Sequence, residues 1–168
     1  MQEEIFTQTN MIELQNLLRK HNKSITCAES CTGGLVASMI TKISGSSDIF
    51  NGSIVSYSNE IKNKELNVKN STLENYGAVS IETVNEMLDG VIKKFQANYA
   101  IAISGIAGPN GGTQTKPVGT VVIGICDDKA HKLINIYHFE GSREDVQKQA
   151  CNVSLKEISK FIQKTLDN

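Results

Sequence analysis

Ile25-Thr26-Cys27-Ala28-Glu29-Ser30-Cys31-Thr32-Gly33-Gly34 decides how this chain is read. Its first residues favour a strand, its small polar residues a tight turn, and Leu35-Val36-Ala37-Ser38-Met39-Ile40 beyond them an apolar helix. A helix amino terminus gathers unpaired N–H groups and the positive end of the helix dipole, which suits an anion or a developing oxyanion. The paired Gly33 and Gly34 would let a ligand approach the main chain. Ser30, set at such a turn, is a candidate hydroxyl nucleophile. Equally, Ser30 or Thr32 could do no more than cap the helix.

Upstream, Thr9 or Asn10 can cap a helix carrying Met11, Ile12, Leu14, Leu17 and Leu18, which stops at His21-Asn22. Downstream, the helix after the turn covers 34–43 and gives way to the loop Ser44-Gly45-Ser46-Ser47. Gly52-Ser53-Ile54-Val55-Ser56-Tyr57 reads as a second strand, Ser58-Asn59 opens a short helix over 60–66, and 67–79 reads as polar and irregular. Val84, Met87, Leu88, Val91, Ile92 and Phe95 form one helical stripe with Ser80 as its cap. Tyr99-Ala100-Ile101-Ala102-Ile103-Ser104 is a strand buried on both faces. It empties into a glycine-dense loop over 105–113, suited either to close ligand approach or to a connection needing several positive φ values. Strands over 120–126 and 132–139 flank the turn Asp127-Asp128-Lys129, and Ser142 caps a last helix running through Val146, Ala150, Val153, Ile158, Phe161, Ile162 and Leu166.

Helices between the early strands require parallel crossovers, and the late hairpin adds antiparallel pairing. The expected architecture is therefore α/β: a three-layer α/β/α arrangement around a mixed, mostly parallel sheet, as a single domain over 1–168. A chain of 168 residues with 17 basic and 18 acidic side chains has no electrostatic footprint for nucleic acid or an anionic membrane, so a small molecule is the expected partner. No run reaches the roughly 18 apolar residues of a membrane span, and Gln2-Glu3-Glu4 does not begin a signal peptide, which points to the cytoplasm. Cys27, Cys31, Cys126 and Cys151 sit mostly in apolar segments and read as reduced thiols; no cysteine or histidine spacing makes a zinc pattern.

Familiar templates fail: the loop over 105–113 is not a Walker A, neither glycine loop spells G-x-G-x-x-G, and Ser30 lies in neither G-x-S-x-G nor Ser-x-x-Lys. A base for Ser30 must come from elsewhere in the fold. Neighbouring parallel strands bring their carboxyl-terminal turns together, so Tyr57-Ser58-Asn59-Glu60-Ile61-Lys62 can meet Ser30. Lys62 could take the serine proton if burial or a nearby cation holds it uncharged, with Tyr57 relaying the proton or orienting the amine. Both also read as an ordinary solvated lysine and strand aromatic. Arg143 offers a planar fork for a phosphate or is surface decoration; Glu29 could orient neighbours or a ligand hydroxyl, or be solvated. Cys31, at a helix amino terminus, is a rival nucleophile without a histidine nearby in sequence.

Ala-Glu-Ser-Cys-Thr-Gly-Gly at 28–34, Tyr-Ser-Asn-x-x-Lys at 57–62, Gly-Ala-Val-Ser at 77–80, Ser-Gly-Ile-Ala-Gly-Pro-x-Gly-Gly-Thr at 104–113 and Lys-Pro-Val-Gly-Thr at 116–120 resemble, in order and over nearly the whole chain, the CinA carboxy-terminal-domain family. The enzymatic members of that family are nicotinamide-nucleotide amidohydrolases. The resemblance implies hydrolysis of nicotinamide mononucleotide (NMN) to nicotinate mononucleotide and ammonia in pyridine-nucleotide salvage, without metal or organic cofactor. It places Ser30 as nucleophile, Lys62 with Tyr57 as proton handlers, and N–H groups over Cys31, Thr32, Gly33 and Gly34 around the oxyanion. Glu29, Asn59, Ser104, Gly105, Gly108 and Arg143 become substrate-binding candidates, with the loop over 104–113 and Arg143 near ribose and phosphate. A homodimer or larger assembly is also implied, and a non-catalytic nucleotide-binding module of the same family is the alternative. Longer members carry an additional amino-terminal domain, whose activity is not expected here. Many relatives have Glu directly after Val-Ser, where this sequence has Ile81 followed by Glu82, a difference expected to touch helix capping more than chemistry.

Overall fold

The opening stretch is strand β1 (Ile25–Glu29), with every residue buried, and it lies second from one edge of a five-stranded sheet. The computed structural model describes residues 4–166. Around β1 the chain runs α1 (Gln8–Lys20), α2 (Leu35–Thr41), a 3-10 turn at Ser46–Asp48, β2 (Ile54–Val55), α3 (Asn59–Leu66), α4 (Asn70–Tyr76) and α5 (Ile81–Phe95). It then completes the sheet with β3 (Tyr99–Gly105), β4 (Thr120–Asp127) and β5 (Lys132–His138) and ends in α6 (Arg143–Leu166). The strand order is β2-β1-β3-β4-β5. Strand β1 pairs parallel with β2 and β3, while β4 pairs antiparallel with β3 and β5, so β4 alone opposes the other four.

Alternation along the strands sorts side chains onto two faces. Ile25 and Cys27 of β1, with Tyr99, Ile101 and Ile103 of β3, pack under Met11, Leu14, Leu18, Val36, Ile40, Leu155 and Ile158 from α1, α2 and α6. Ala28, Ala100 and Ala102 face the other way, and these small side chains seat Val84, Met87, Leu88 and Val91 of α5 close to the sheet, with Leu66 of α3 and Leu73 of α4 beside them. The expected layering and mixed sheet are therefore present. Each fully buried Leu, Ile, Val or Met contributes about 1.5–3 kcal/mol relative to exposure.

Several boundaries differ from expectation for local reasons. Helix α1 starts earlier than Thr9 or Asn10 as cap would allow: Thr7 is the cap, its Oγ1 accepting from Asn10 N–H while Asn10 Oδ1 accepts from Thr7 N–H, a reciprocal box. Strand β2 is only Ile54–Val55, and its pairing continues through Ser56 N–H to the Glu29 carbonyl at 2.7 Å. The stretch over 67–79 contains α4, tethered by buried Leu73 and by Thr72 Oγ1 donating to Glu86 Oε1 of α5 at 3.1 Å. Ser58, Ser80 and Ser142 do cap α3, α5 and α6, with Glu82 in the first turn of α5. All four cysteines are free and buried.

Candidate active site

The chain leaves β1 for α2 on one face of the sheet, and leaves β2 for α3 to α5 on the other before returning to β3 on the far side of β1. The strand order therefore reverses at β1, which opens a crevice at the carboxyl ends of β1 and β3. A cleft of about 280 Å³ lies at these ends. Its lining includes Ser30, Cys31, Tyr57, Asn59, Lys62, Ser104, Gly105, Gly108 and Arg143. Its cations are Lys62 and Arg143, and its lining holds no carboxylate.

At its base Lys62 Nζ lies 3.1 Å from Ser30 Oγ and donates to the Ser56 carbonyl at 2.9 Å. Lys62 is 2% exposed and Ser30 9%. The main chain fixes both ends of this contact: Ser56 N–H and Oγ both donate to the Glu29 carbonyl, tying the turn that anchors the lysine to the strand that carries the serine. Burial lowers the Lys62 pKa from its ordinary 10.5, because an ammonium loses water here without gaining a carboxylate. Nζ donates to both oxygens here, and once it gives up a proton it can keep the Ser56 bond and turn its lone pair to the Ser30 hydroxyl. That is the geometry of a general base against a nucleophile.

Tyr57 enters the same cleft in a different position from the one expected. It is 59% exposed, and its hydroxyl accepts from Arg143 Nη2 rather than meeting Lys62. An arginine cannot accept a proton, so the Tyr57 contact is not a relay. Arg143 Nη1 also donates to the Gly108 carbonyl at 2.7 Å, so this one guanidinium joins the start of α6, the β3–β4 loop and the β2–α3 turn at the cleft mouth. Burial pushes the Cys31 thiol up to about 12, which removes the thiolate a rival nucleophile would need.

Glu29, Thr32, Gly33 and Gly34 lie outside the cleft. Glu29 is fully buried under α2 and accepts from Thr32 Oγ1 at 2.7 Å and from the N–H groups of Gly34, Val36 and Ala37 at 3.2, 2.9 and 3.0 Å. The Cys27 thiol donates to it at 3.7 Å. The helix terminus expected to receive an oxyanion is thus already occupied by a carboxylate of the protein itself, and neither Ser30 nor Thr32 is its cap. Gly33 N–H is likewise taken by the Ser30 carbonyl at 3.0 Å. Gly33 and Gly34 serve the turn through positive φ values of 61° and 102° and line a separate surface depression with Ser38, Glu144, Gln147 and Lys148. Gly105 does serve close approach, but of the protein to itself: a Cβ there would lie 2.7 Å from Val121 Cγ2 and 3.0 Å from Cys31 Sγ.

Sequence reasoning missed Ser56, whose carbonyl holds the lysine, and Gln147 of α6, whose Nε2 donates to the Cys31 carbonyl at 2.9 Å. A main-chain acceptor leaves no signature in residue type, and Gln147 is one polar residue among many on a long helix. Among the described residues no group of three or more His, Cys, Asp or Glu side chains is placed to hold a metal ion, and no helix is long and apolar enough to cross a membrane.

A family model described as the CinA C-terminal domain matches residues 7–162. A CinA-like protein from Endomicrobium trichonymphae is 50% identical over 139 residues, covering 83% of this chain and 32% of its own length. A CinA-like protein from Thermotoga neapolitana is 44% identical over 146 residues, covering 87% and 35%. The chain spans about a third of the length of these curated relatives. Among solved structures, the competence damage-inducible protein A from Klebsiella pneumoniae superposes with a TM-score of 0.87 at 31% identity, covering 91% of this chain and 94% of that one. A CinA superfamily protein from Escherichia coli gives 0.85 at 33%, covering 90% and 88%. With its sheet order, its crevice and its motifs all falling inside the matched span, the chain belongs to the CinA C-terminal domain family.

Proposed function

We propose that the cleft hydrolyses the carboxamide of NMN to nicotinate mononucleotide and ammonia, with Ser30 as nucleophile and Lys62 as base. The observation that carries this reading is the buried contact between Lys62 Nζ and Ser30 Oγ at 3.1 Å, with no carboxylate lining the cleft to hold the amine charged. Ser30 Oγ attacks the amide carbon as its proton passes to Lys62, and the backbone donor we assign to the resulting oxyanion is Cys31 N–H, next along the turn. The tetrahedral intermediate collapses by breaking the C–N bond, with Lys62 returning the proton to the leaving nitrogen so that ammonia departs. Water then attacks the acyl-serine through the same amine, releasing the carboxylate and restoring the Ser30 hydroxyl. Arg143 supplies the fork for the nucleotide phosphate once it exchanges the Tyr57 hydroxyl for phosphate oxygens.

Purified protein should release ammonia from NMN without added metal, and Ser30→Ala should not. NMN binding by calorimetry with no ammonia after long incubation would replace this reading with a nucleotide-binding module.

A further inference from the structure

The reaction proposed above develops negative charge on the carboxamide oxygen, and a single backbone donor is a thin provision for it. The usual source of a second donor, the helix amino terminus beside the nucleophile, is closed here because Glu29 takes the N–H groups of Gly34, Val36 and Ala37. Resting on the amidohydrolase reading, we propose that the second donor is the hydroxyl of Ser104. The placement follows from the sheet. Strands β1 and β3 pair in parallel with Ala28 opposite Ala102, so two residues further on Ser30 and Ser104 stand side by side at the carboxyl ends. Both continue the series of Ala28, Ala100 and Ala102 on the face covered by α3 and α5, the face from which Lys62 reaches in.

Ser104 is 1% exposed and lines the cleft. Among the described residues, the other side-chain hydroxyls of the cleft have partners: Ser30 bonds with Lys62, Tyr57 with Arg143, and Ser58 accepts from Ile61 N–H at 3.2 Å. Ser104 makes no side-chain hydrogen bond with the protein, and its place in the cleft lining leaves that hydroxyl to pair with a ligand. This hydroxyl belongs with the reacting carboxamide rather than with ribose or phosphate, because its neighbour across the sheet is the nucleophile while the phosphate fork is at the mouth.

Steady-state ammonia release from NMN separates the roles. Ser104→Ala should lower kcat about 10²-fold with KM within about threefold, and Ser104→Thr, which keeps the hydroxyl, should recover most of the rate. A raised KM with kcat intact, or no change in either, would overturn the assignment. If the wild type releases no ammonia, the substrate reading falls by itself, and Ser104 is then judged by labelling with an alkyl fluorophosphonate. In that step Ser30 Oγ displaces fluoride from phosphorus, Lys62 takes the proton, and the P–O oxygen needs the same donors. Slowing of about tenfold or more in Ser104→Ala supports the assignment, equal rates overturn it, and a wild type that does not label at Ser30 overturns both proposals. Should Ser104→Ala fail to fold, Ser104→Cys keeps the volume with a much weaker donor and gives the same reading.

Discussion

Glu29 at the end of β1 and Lys62 in α3, the helix after β2, are both buried ionisable side chains, and the fold treats the two in opposite ways. Glu29 receives the Thr32 hydroxyl, the Cys27 thiol and the N–H groups of Gly34, Val36 and Ala37. Lys62 receives one carbonyl and one hydroxyl, and burial drives its pKa down. The contrast separates architecture from chemistry. The carboxyl with all its donors ties the turn to α2, and the amine left short of acceptors has a lone pair to offer once it loses a proton.

The largest effects should come from removing the under-supplied side. Ser30→Ala and Lys62→Met should each lower kcat for ammonia release about 10³-fold or more, since members of one reacting unit fail together. The over-supplied side should register in stability instead. Glu29→Ala leaves the N–H groups of Gly34, Val36 and Ala37 without their acceptor and should cost about 3 kcal/mol or more in urea unfolding. At the mouth, Arg143→Ala should raise KM for NMN about tenfold to a hundredfold with kcat changed less, the weight of a charge-assisted bond of about 1.5–3 kcal/mol.

Lys62 also sets a pH dependence. Its folded pKa lies below the 10.5 of the unfolded chain, so between those values the unfolded state holds more protons and stability rises with pH. Below the folded pKa the full penalty remains. Lys62→Met should therefore stabilise the protein at neutral pH and flatten this rise, while wild-type kcat/KM should climb as the amine loses its proton. The smallest effect is reserved for the rival thiol: with its pKa near 12, Cys31→Ala should leave kcat within about threefold of wild type.

How much of this was legible in sequence follows from the same contrast. The meeting of Ser30 with Lys62 could be read because parallel strands place successive turns at one end of a sheet, a consequence of topology alone. The three-layer fold was legible from the α5 stripe and the apolar β3 run. The role of Glu29 was not, since a glutamate before a small-residue turn looks solvated until tertiary packing encloses it. Tyr57 was misplaced for a related reason: Arg143 is 86 residues away in the chain and reaches it only when α6 docks. Helix α4 lies in a stretch of Asn, Ser and Thr with weak propensity, held by Leu73 and by the Thr72 contact to α5.

The central claim is that burial beside Ser30 holds one lysine amine uncharged when the others are charged. Nitrogen-15 NMR of the lysine side chains across a pH series tests it, with Lys62→Met identifying the signal. The account predicts one Nζ resonance that titrates well below the rest and vanishes in the variant. Lys62 titrating with the surface lysines, near about 10.4, would contradict it.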